Sequence, residues 1–350
     1  MTGTGYLRPT AETGVLRLHL NENTSGCSPA ALSAIRGLSA QDLGRYPDYQ
    51  QAIADLARVF GVPADYVLLT NGLDEGILAA TAAAFRRRDG FVPEAIGVRP
   101  AFDMYETTVD ALGGRLLTVP LDSQFQWRAS SLLPLVGAAT RIIFVTNPHN
   151  PSGCCVPVSE ILELAARVRP AVVFVDEAYA DFTHGTLLDP DVLRSMPNIV
   201  VGRTFSKAYG MAGLRIGALV ATPETLQPIR KIVPPYSVNA VAAAALPAAL
   251  ADLQHTSRYV EEARQSRDLI EDACRRLGLA VAPSAANFML VRVGGAASAL
   301  AEALARRAIA VRDRSREPGS EGCLRVTAGR IADTRRFVAA LEDAWRELQR

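Results

Sequence analysis

Short apolar runs alternate with segments of helical periodicity through the first two thirds of the chain. The runs lie at residues 115–121, 141–146, 171–176, 198–203 and 215–220. Runs this apolar are typical of strands covered on both faces, as in a parallel sheet flanked by helices. Segment 159–168 between them predicts a helix, with Ser159 as its N-cap. The pattern predicts an α/β fold with a mostly parallel sheet, in a large domain spanning residues 40–235.

The pattern changes after residue 235. An amphipathic helix is predicted over 255–277, and strand-like segments 287–293 and 324–328 bracket a further helical segment. Two strands and three helices indicate a smaller α+β domain over 236–350. Residues 1–39 are expected to form an N-terminal arm and part of that small domain.

Two segments of this second part differ from plain helix or strand. Segment 240–251 is a good helix former that we expect Pro247 to interrupt. Segment 312–323 is polar and rich in turn residues, which predicts a long loop of the kind that is often functional.

Composition excludes several classes of protein. The 37 basic and 36 acidic residues leave a net charge of +1, so no global field attracts nucleic acid or a membrane. Five cysteines without a CxxC pair and four scattered histidines argue against a disulfide framework and against a metal site. No apolar run reaches membrane-spanning length and no secretory signal is recognisable, so we expect a cytoplasmic protein.

Lysine is rare in this chain, since the only two are Lys207 and Lys231. Lys207 lies in a hydroxyl-rich turn directly after the apolar run 198–203. Ligands of open α/β sheets bind beyond the carboxyl ends of strands, where a desolvated lysine can become an imine-forming nucleophile. The alternative is an ordinary surface lysine.

A carboxylate ends the preceding apolar run. Asp176 follows a five-residue apolar stretch, and Tyr179 lies three residues further on. A carboxylate in that position needs a partner, and one candidate is a protonated pyridine nitrogen, which a pyridoxal ring requires to act as an electron sink. The alternative is a buried aspartate that caps a neighbouring helix.

Two loops complete this set of segments. Residues 147–153, NPHNPSG, form a turn that brings amide groups to the sheet edge. Segment 67–85 predicts a short strand, a glycine and a helix whose first N–H groups suit a phosphate. Gly72 taken alone could equally be a simple turn residue.

These motifs together resemble a known family. NPHNPSG, then DEAY, then TFSKAYGMAGLR follow the order and spacing of the fold type I pyridoxal-phosphate-dependent aminotransferases, and the chain is most similar to the histidinol-phosphate aminotransferases among them. Further segments agree with that subgroup: 19–23, 45–48, 70–77, 283–292 and 309–327. The resemblance extends from about residue 18 to about residue 343.

The resemblance implies a role for each matching residue, with pyridoxal 5'-phosphate as cofactor. Lys207 would carry the cofactor covalently and later transfer a proton. The ring would be held by Asp176, Tyr179, Asn150 and the stacking Tyr105. The phosphate would be held by Ser206, Thr204, Arg215, Gly72, Leu73, Asp74 and, from the neighbouring subunit, Tyr46. The implied unit is a homodimer with shared active sites.

The resemblance also implies a substrate site. Arg325 and Arg312 would bind a phosphate dianion together, with Asn23 nearby, although Arg312 could instead be a solvated loop charge. The implied reaction moves an amino group between glutamate and imidazole-acetol phosphate. Alternatives are a related enzyme for aromatic or specialised amino acids, a threonine-phosphate decarboxylase, and a cofactor-sensing module of a transcription regulator, against which a retained Lys207 argues.

The chain departs from the family pattern in three places. NENTSG replaces the usual NENPYG at 21–26, and the short N-terminal arm offers only Tyr6, so the mouth of the site is expected to differ. His149 replaces a polar neighbour in the 147–153 loop and is interpreted as a loop residue. Segment 86–98 lacks the usual turn and is interpreted as surface variation.

Overall fold

Two sheets organise the chain. The computed structural model describes residues 14–86 and 90–349. The seven-stranded sheet contains β2 (Val67–Thr70), β3 (Glu94–Arg99), β4 (Arg115–Pro120), β5 (Thr140–Thr146), β6 (Val172–Asp176), β7 (Ile199–Thr204) and β8 (Gly217–Val220). The five-stranded sheet contains β1 (Leu16–Leu18), β9 (Ala280–Val281), β10 (Phe288–Arg292), β11 (Ile309–Asp313) and β12 (Cys323–Thr327).

The helices lie around these sheets. They are α1 (Pro29–Arg36), α2 (Ala40–Leu43), α3 (Gln50–Phe60), α4 (Gly72–Phe85), α5 (Asp103–Ala111), α6 (Val158–Arg167), α7 (Pro190–Ser195), α8 (Pro223–Arg230), α9 (Ala240–Ala251), α10 (Leu253–Arg276), α11 (Ala297–Arg306) and α12 (Ile331–Leu348). In the described part of the chain, none combines the length and the apolar character needed to cross a membrane.

The large sheet is mostly parallel, as predicted. Its strand order is β2-β8-β7-β6-β5-β3-β4, and only β8 runs antiparallel to its neighbours. Every residue of β5 and β7 is buried, because helices cover both faces. The carboxyl ends of β5, β6 and β7 therefore meet at one edge.

The small sheet is larger than the sequence indicated. Its order is β1-β11-β12-β10-β9, so the prediction of two strands was wrong. The strands β1 and β9 are three and two residues long, too short for a periodic signal. A second apolar cluster lies beneath this sheet and includes Phe337 and Leu341 of α12. The domain boundaries at 39/40 and 235/236 stay a prediction.

Three local predictions were also wrong. The helix α6 begins at Val158 after Pro157, so Ser159 is inside its first turn and is not the N-cap. Pro247 does not interrupt α9. A proline removes one backbone hydrogen bond from a helix, but the alanines and leucines around Pro247 are packed in the main core and hold the helix together. Segment 86–98 is not mere surface variation, because it contains the start of β3, which is paired on both sides.

Candidate active site

A cavity of about 920 Å³ lies at the carboxyl ends of β5, β6 and β7. The strand register places Thr146 beside Asp176, and Thr204 ends the next strand. The small sheet contributes arginines from the opposite side. The predicted residues that line this cavity are Lys207, Asp176, Tyr179, Asn150, Ser206, Thr204, Arg215, Leu73, Asp74, Arg312 and Arg325.

Lys207 is partly buried in the turn after β7. Its Nζ donates a hydrogen bond of 3.0 Å to the carbonyl oxygen of Leu20 and lies 5.8 Å from the centre of the Tyr179 ring. Burial, and then the positive charge of Arg325, lower the pKa of Lys207 to about 8. Roughly a tenth of the amine is then unprotonated at pH 7, so this side chain can act as a nucleophile and as a base.

Asp176 is a buried carboxylate at the end of β6. Its Oδ1 accepts from the backbone N–H of Ala178 at 3.0 Å, and its Oδ2 accepts from the hydroxyl of Tyr105 at 2.6 Å. It forms no salt bridge to any residue that the structure describes. Burial raises the pKa of Asp176 to about 6. A buried carboxylate without a cationic partner suits a protonated ring nitrogen, so the site fits a pyridoxal ring.

The start of α4 forms a cradle of hydrogen-bond donors. Gly72 has a φ of +71°, and a Cβ there would come within 2.5 Å of Nη2 of Arg215. The side chain of the N-cap residue Asn71 forms no capping hydrogen bond, and the carboxylate of Glu75 accepts the backbone N–H of Asn71 at 2.6 Å. The hydroxyls of Thr204 and Ser206 lie 3.1 Å apart beside it. Backbone N–H groups, hydroxyls and a guanidinium are the donors that hold phosphate, so the cradle fits the cofactor's phosphate.

Tyr179 and Asn150 lie between the lysine and the arginines. The hydroxyl of Tyr179 accepts from Nδ2 of Asn21 at 3.0 Å, and Oδ1 of Asn150 accepts from Arg325 at 2.7 Å. The Tyr179 hydroxyl proton and the Asn150 amide group are donors that could face a ring oxygen. Burial raises the pKa of Tyr179, so its hydroxyl stays protonated at neutral pH.

The two predicted substrate arginines are cross-strand partners. Arg312 of β11 pairs in register with Arg325 of β12, so both guanidinium groups lie on one face of the small sheet. Like charges placed directly opposite each other repel, and an anion between or beside them relieves the repulsion. Arg312 is part of a strand that ends at Asp313, so the predicted loop over 312–323 begins later than expected.

Arg325 is buried and has no carboxylate partner within the described part of the chain. It donates to Oδ1 of Asn150 at 2.7 Å and to the carbonyl oxygen of His19 at 2.8 Å, while its Nε has no partner. Burial lowers the pKa of Arg325 to about 10, which still leaves it charged at neutral pH. A buried cation bound only to neutral oxygens suits an anionic ligand.

Four predicted residues lie away from the cavity wall in this chain. Gly72 lies behind Arg215, and Asn23 donates to the carbonyl oxygen of Ala208 at 2.9 Å. Tyr46 is exposed on the surface, stacked on another tyrosine. The Tyr105 ring stacks on Phe144 with centroids 4.4 Å apart. Tyr6 lies outside the described residues.

Sequence reasoning missed several residues that line the cavity. Phe102 and Asp103 line the cavity three and two positions before Tyr105. The sequence identified Tyr105 in this segment but not these two neighbours. His19 also lines the wall, and burial, then Arg17, lower its pKa to about 4, so it is neutral. Arg314, in the segment predicted as a polar loop, is buried and also lines the cavity. No cluster of three or more metal-binding side chains occurs in residues 14–86 and 90–349.

Comparisons with known proteins show which family this chain belongs to. The sequence profile of aminotransferase class I and II matches residues 13–341. A histidinol-phosphate aminotransferase of Symbiobacterium thermophilum is 35% identical over 94% of this chain and 90% of its own length. One from Cupriavidus pinatubonensis is 36% identical over 95% and 89%. The crystal structure of the Sinorhizobium meliloti enzyme in complex with pyridoxal-5'-phosphate superposes with a TM-score of 0.84, at 30% identity, covering 95% of this chain and 91% of that one.

Proposed function

The chain belongs to aminotransferase class I and II, a pyridoxal-phosphate-dependent family of enzymes, and on that premise we propose that it moves an amino group between glutamate and imidazole-acetol phosphate. This is the reaction of histidinol-phosphate transaminase, a step of histidine biosynthesis. Relatives with that name, each more than 30% identical and matching most of the chain, support the assignment.

The observation that carries the proposal is the surroundings of Arg325. Among the described residues this buried guanidinium binds only neutral oxygens, and it shares one cavity with Lys207 and Asp176. The register partner Arg312 adds a second positive charge on the same face. Two arginines match the two charges of a phosphate dianion better than they match the single charge of a carboxylate. This favours a phosphate ester as the amino-group donor.

Each side chain then has a defined task. Bound pyridoxal phosphate supplies the electron sink for the carbon that carries the amino group. Asp176 holds the ring nitrogen, and Tyr179 and Asn150 orient the ring oxygen. Lys207 holds the cofactor and moves the proton through Nζ, which its lowered pKa permits near neutral pH. The cradle at the start of α4 fixes the phosphate, together with Ser206, Thr204 and Arg215.

A homodimer with shared sites is part of the proposal. Tyr46 is 78% exposed and stacks on Tyr236, which is 53% exposed, with ring centroids 4.3 Å apart. Leu43 nearby in sequence is 58% exposed. Exposed aromatic and apolar side chains of this kind are typical of an interface, so we propose that this face meets a second copy and places Tyr46 at that copy's cofactor phosphate.

A cytoplasmic location is also proposed. All five cysteines fall within the described residues, and each is a free thiol. Free thiols in this number suit a reducing compartment.

The experiment offers the purified, cofactor-loaded protein histidinol phosphate, phenylalanine, tyrosine and arginine in turn, each with 2-oxoglutarate. We expect glutamate to form with histidinol phosphate. Exclusive turnover of an unphosphorylated amino acid would reject the phosphate-ester assignment and favour the alternative, a relative that acts on aromatic or specialised amino acids.

Single substitutions then test the anion site. Arg325→Ala is expected to lower kcat/KM for histidinol phosphate roughly 30-fold or more, since truncating a buried charge partner costs about 2–5 kcal/mol. Arg316→Ala is the matched control, because Arg316 is an exposed arginine in the segment that precedes β12. Equal effects of the two substitutions would contradict the role given to Arg325.

A further inference from the structure

The two cross-strand arginines of the substrate site have different partners. Arg325 is buried and binds neutral oxygens, whereas Arg312 is about a quarter exposed and faces the carboxylate of Asp103. Nη2 of Arg312 lies 3.4 Å from Oδ2 of Asp103. Asp103 therefore compensates the charge of Arg312, whereas no carboxylate among the residues that the structure describes compensates the charge of Arg325.

Asp103 reaches this site from the opposite wall. It is the first residue of α5, which connects β3 and β4 of the large sheet, whereas Arg312 is on the small sheet. The carboxylate lines the cavity and is one third exposed, and its Oδ1 lies 3.6 Å from Nη1 of Arg314. The contact therefore joins two walls of the cavity at Arg312, the register partner of Arg325.

The geometry makes this contact easy to displace. Separations of 3.4 and 3.6 Å exceed the roughly 2.7–2.9 Å of a charge-assisted hydrogen bond, and partly exposed pairs of this kind contribute little. Arg314 does not depend on Asp103, since it also pairs with Glu317 and donates to the carbonyl oxygen of Ala101 at 3.0 Å. Arg312 can thus exchange Asp103 for a ligand without releasing Arg314.

We infer that Asp103 is an internal counter-ion that determines which anions the site prefers, an inference that rests on the proposed function. The arginine pair and Asp103 together carry one net positive charge, which matches the carboxylate of glutamate held by Arg325. When a phosphate dianion binds, Arg312 leaves Asp103, and the two guanidinium groups match the two negative charges. One site thereby accepts both substrates of the two half-reactions.

Asp103→Asn tests this role in the cofactor-loaded enzyme, with inorganic phosphate as the probe in calorimetric titration. Removing one like charge next to the site is expected to tighten phosphate binding about tenfold. The KM for histidinol phosphate is expected to fall more than the KM for glutamate, because the dianion experiences twice the repulsion. Asp103→Glu retains the charge and should keep wild-type phosphate affinity.

The control is Glu106→Gln, which removes a charge from the same helix at an exposed position paired with Arg99 at 3.0 Å. It should leave phosphate affinity unchanged. The counter-ion role is wrong if Arg312→Ala weakens phosphate binding while Asp103→Asn binds phosphate no more tightly than the wild type does. If neither Arg312→Ala nor Arg325→Ala alters phosphate binding, the anion site of the proposed function is itself wrong.

Discussion

Tyr105→Phe would remove a single hydroxyl that donates to the buried carboxylate of Asp176 at 2.6 Å. The ring would keep its place against Phe144, since the two rings are stacked within 8° of parallel. Thr146 would lose its 2.7 Å contact with the same hydroxyl. The substitution therefore tests one hydrogen bond and leaves the packing of the core nearly unchanged.

The magnitude follows from the charge of the acceptor. A hydrogen bond to a charged group contributes about 1.5–3 kcal/mol, and 1.36 kcal/mol corresponds to one pKa unit. Burial raises the pKa of Asp176 to about 6, and the Tyr105 hydrogen bond opposes that rise. Losing the bond should raise the pKa by roughly one to two units, which makes the carboxyl mainly protonated at pH 7 in the variant.

The assay is the affinity of the cofactor-free protein for pyridoxal phosphate as a function of pH. Only the ionised carboxylate pairs with a ring nitrogen that carries a proton, so affinity should decline below the pKa of Asp176. The decline should begin near pH 6 in the wild type and roughly one to two units higher in the variant. Tyr209→Phe is the matched control, because Tyr209 is also a buried tyrosine and its ring packs on another aromatic ring, that of Phe205. An unchanged midpoint in Tyr105→Phe would refute the positioning role.

Three further predictions concern the cofactor site. Asp176→Asn should bind the cofactor more weakly but still hold it at saturating concentration through Lys207 and the phosphate cradle, and it should lose two to three decades of turnover, as expected for about 3–5 kcal/mol at a buried charge pair. Near-wild-type turnover would contradict the ring-nitrogen contact. Lys207 of the cofactor-free protein should bind pyridoxal phosphate at a rate that rises with pH and levels off above about pH 8, because the neutral amine is the reactive form. A rise that continues to pH 10 would show that Lys207 has the pKa of an ordinary lysine. Gly72→Ala should weaken cofactor binding by displacing Arg215. The control is Gly61→Ala, at a φ of +67° with nothing within 4 Å of the added Cβ, which should cost only the backbone strain of about 1–2 kcal/mol. Equal cofactor affinity in the two variants would show that the cradle is not used.

Much of the large sheet could be predicted because its central strands are apolar on both faces. Segments 141–146 and 171–176 correspond closely to β5 and β6, and a polar residue directly after such a run must lie at the sheet edge. Lys207 and Asp176 were found by this argument. By contrast, β3 begins with Glu94 and contains Gly97, so its pattern is not that of a typical strand.

The parts that could not be predicted depend on long-range contacts. The register that pairs Arg312 with Arg325 joins two strands separated by a loop, and no local pattern specifies it. Asp103 meets Arg312 across more than 200 residues of chain, and only the folded structure brings the two together. Sequence can name the charged residues of the substrate site, but their pairing follows from tertiary structure.

The central claim is that Lys207 alone carries the cofactor. Borohydride reduction of the cofactor-loaded protein, followed by digestion and mass spectrometry, tests it directly, because the chain contains one other lysine, the exposed Lys231, as an internal control. The account predicts a reduced pyridoxyl label on the peptide that contains Lys207 and none on the peptide that contains Lys231. A label on Lys231, or no label on Lys207, would contradict it.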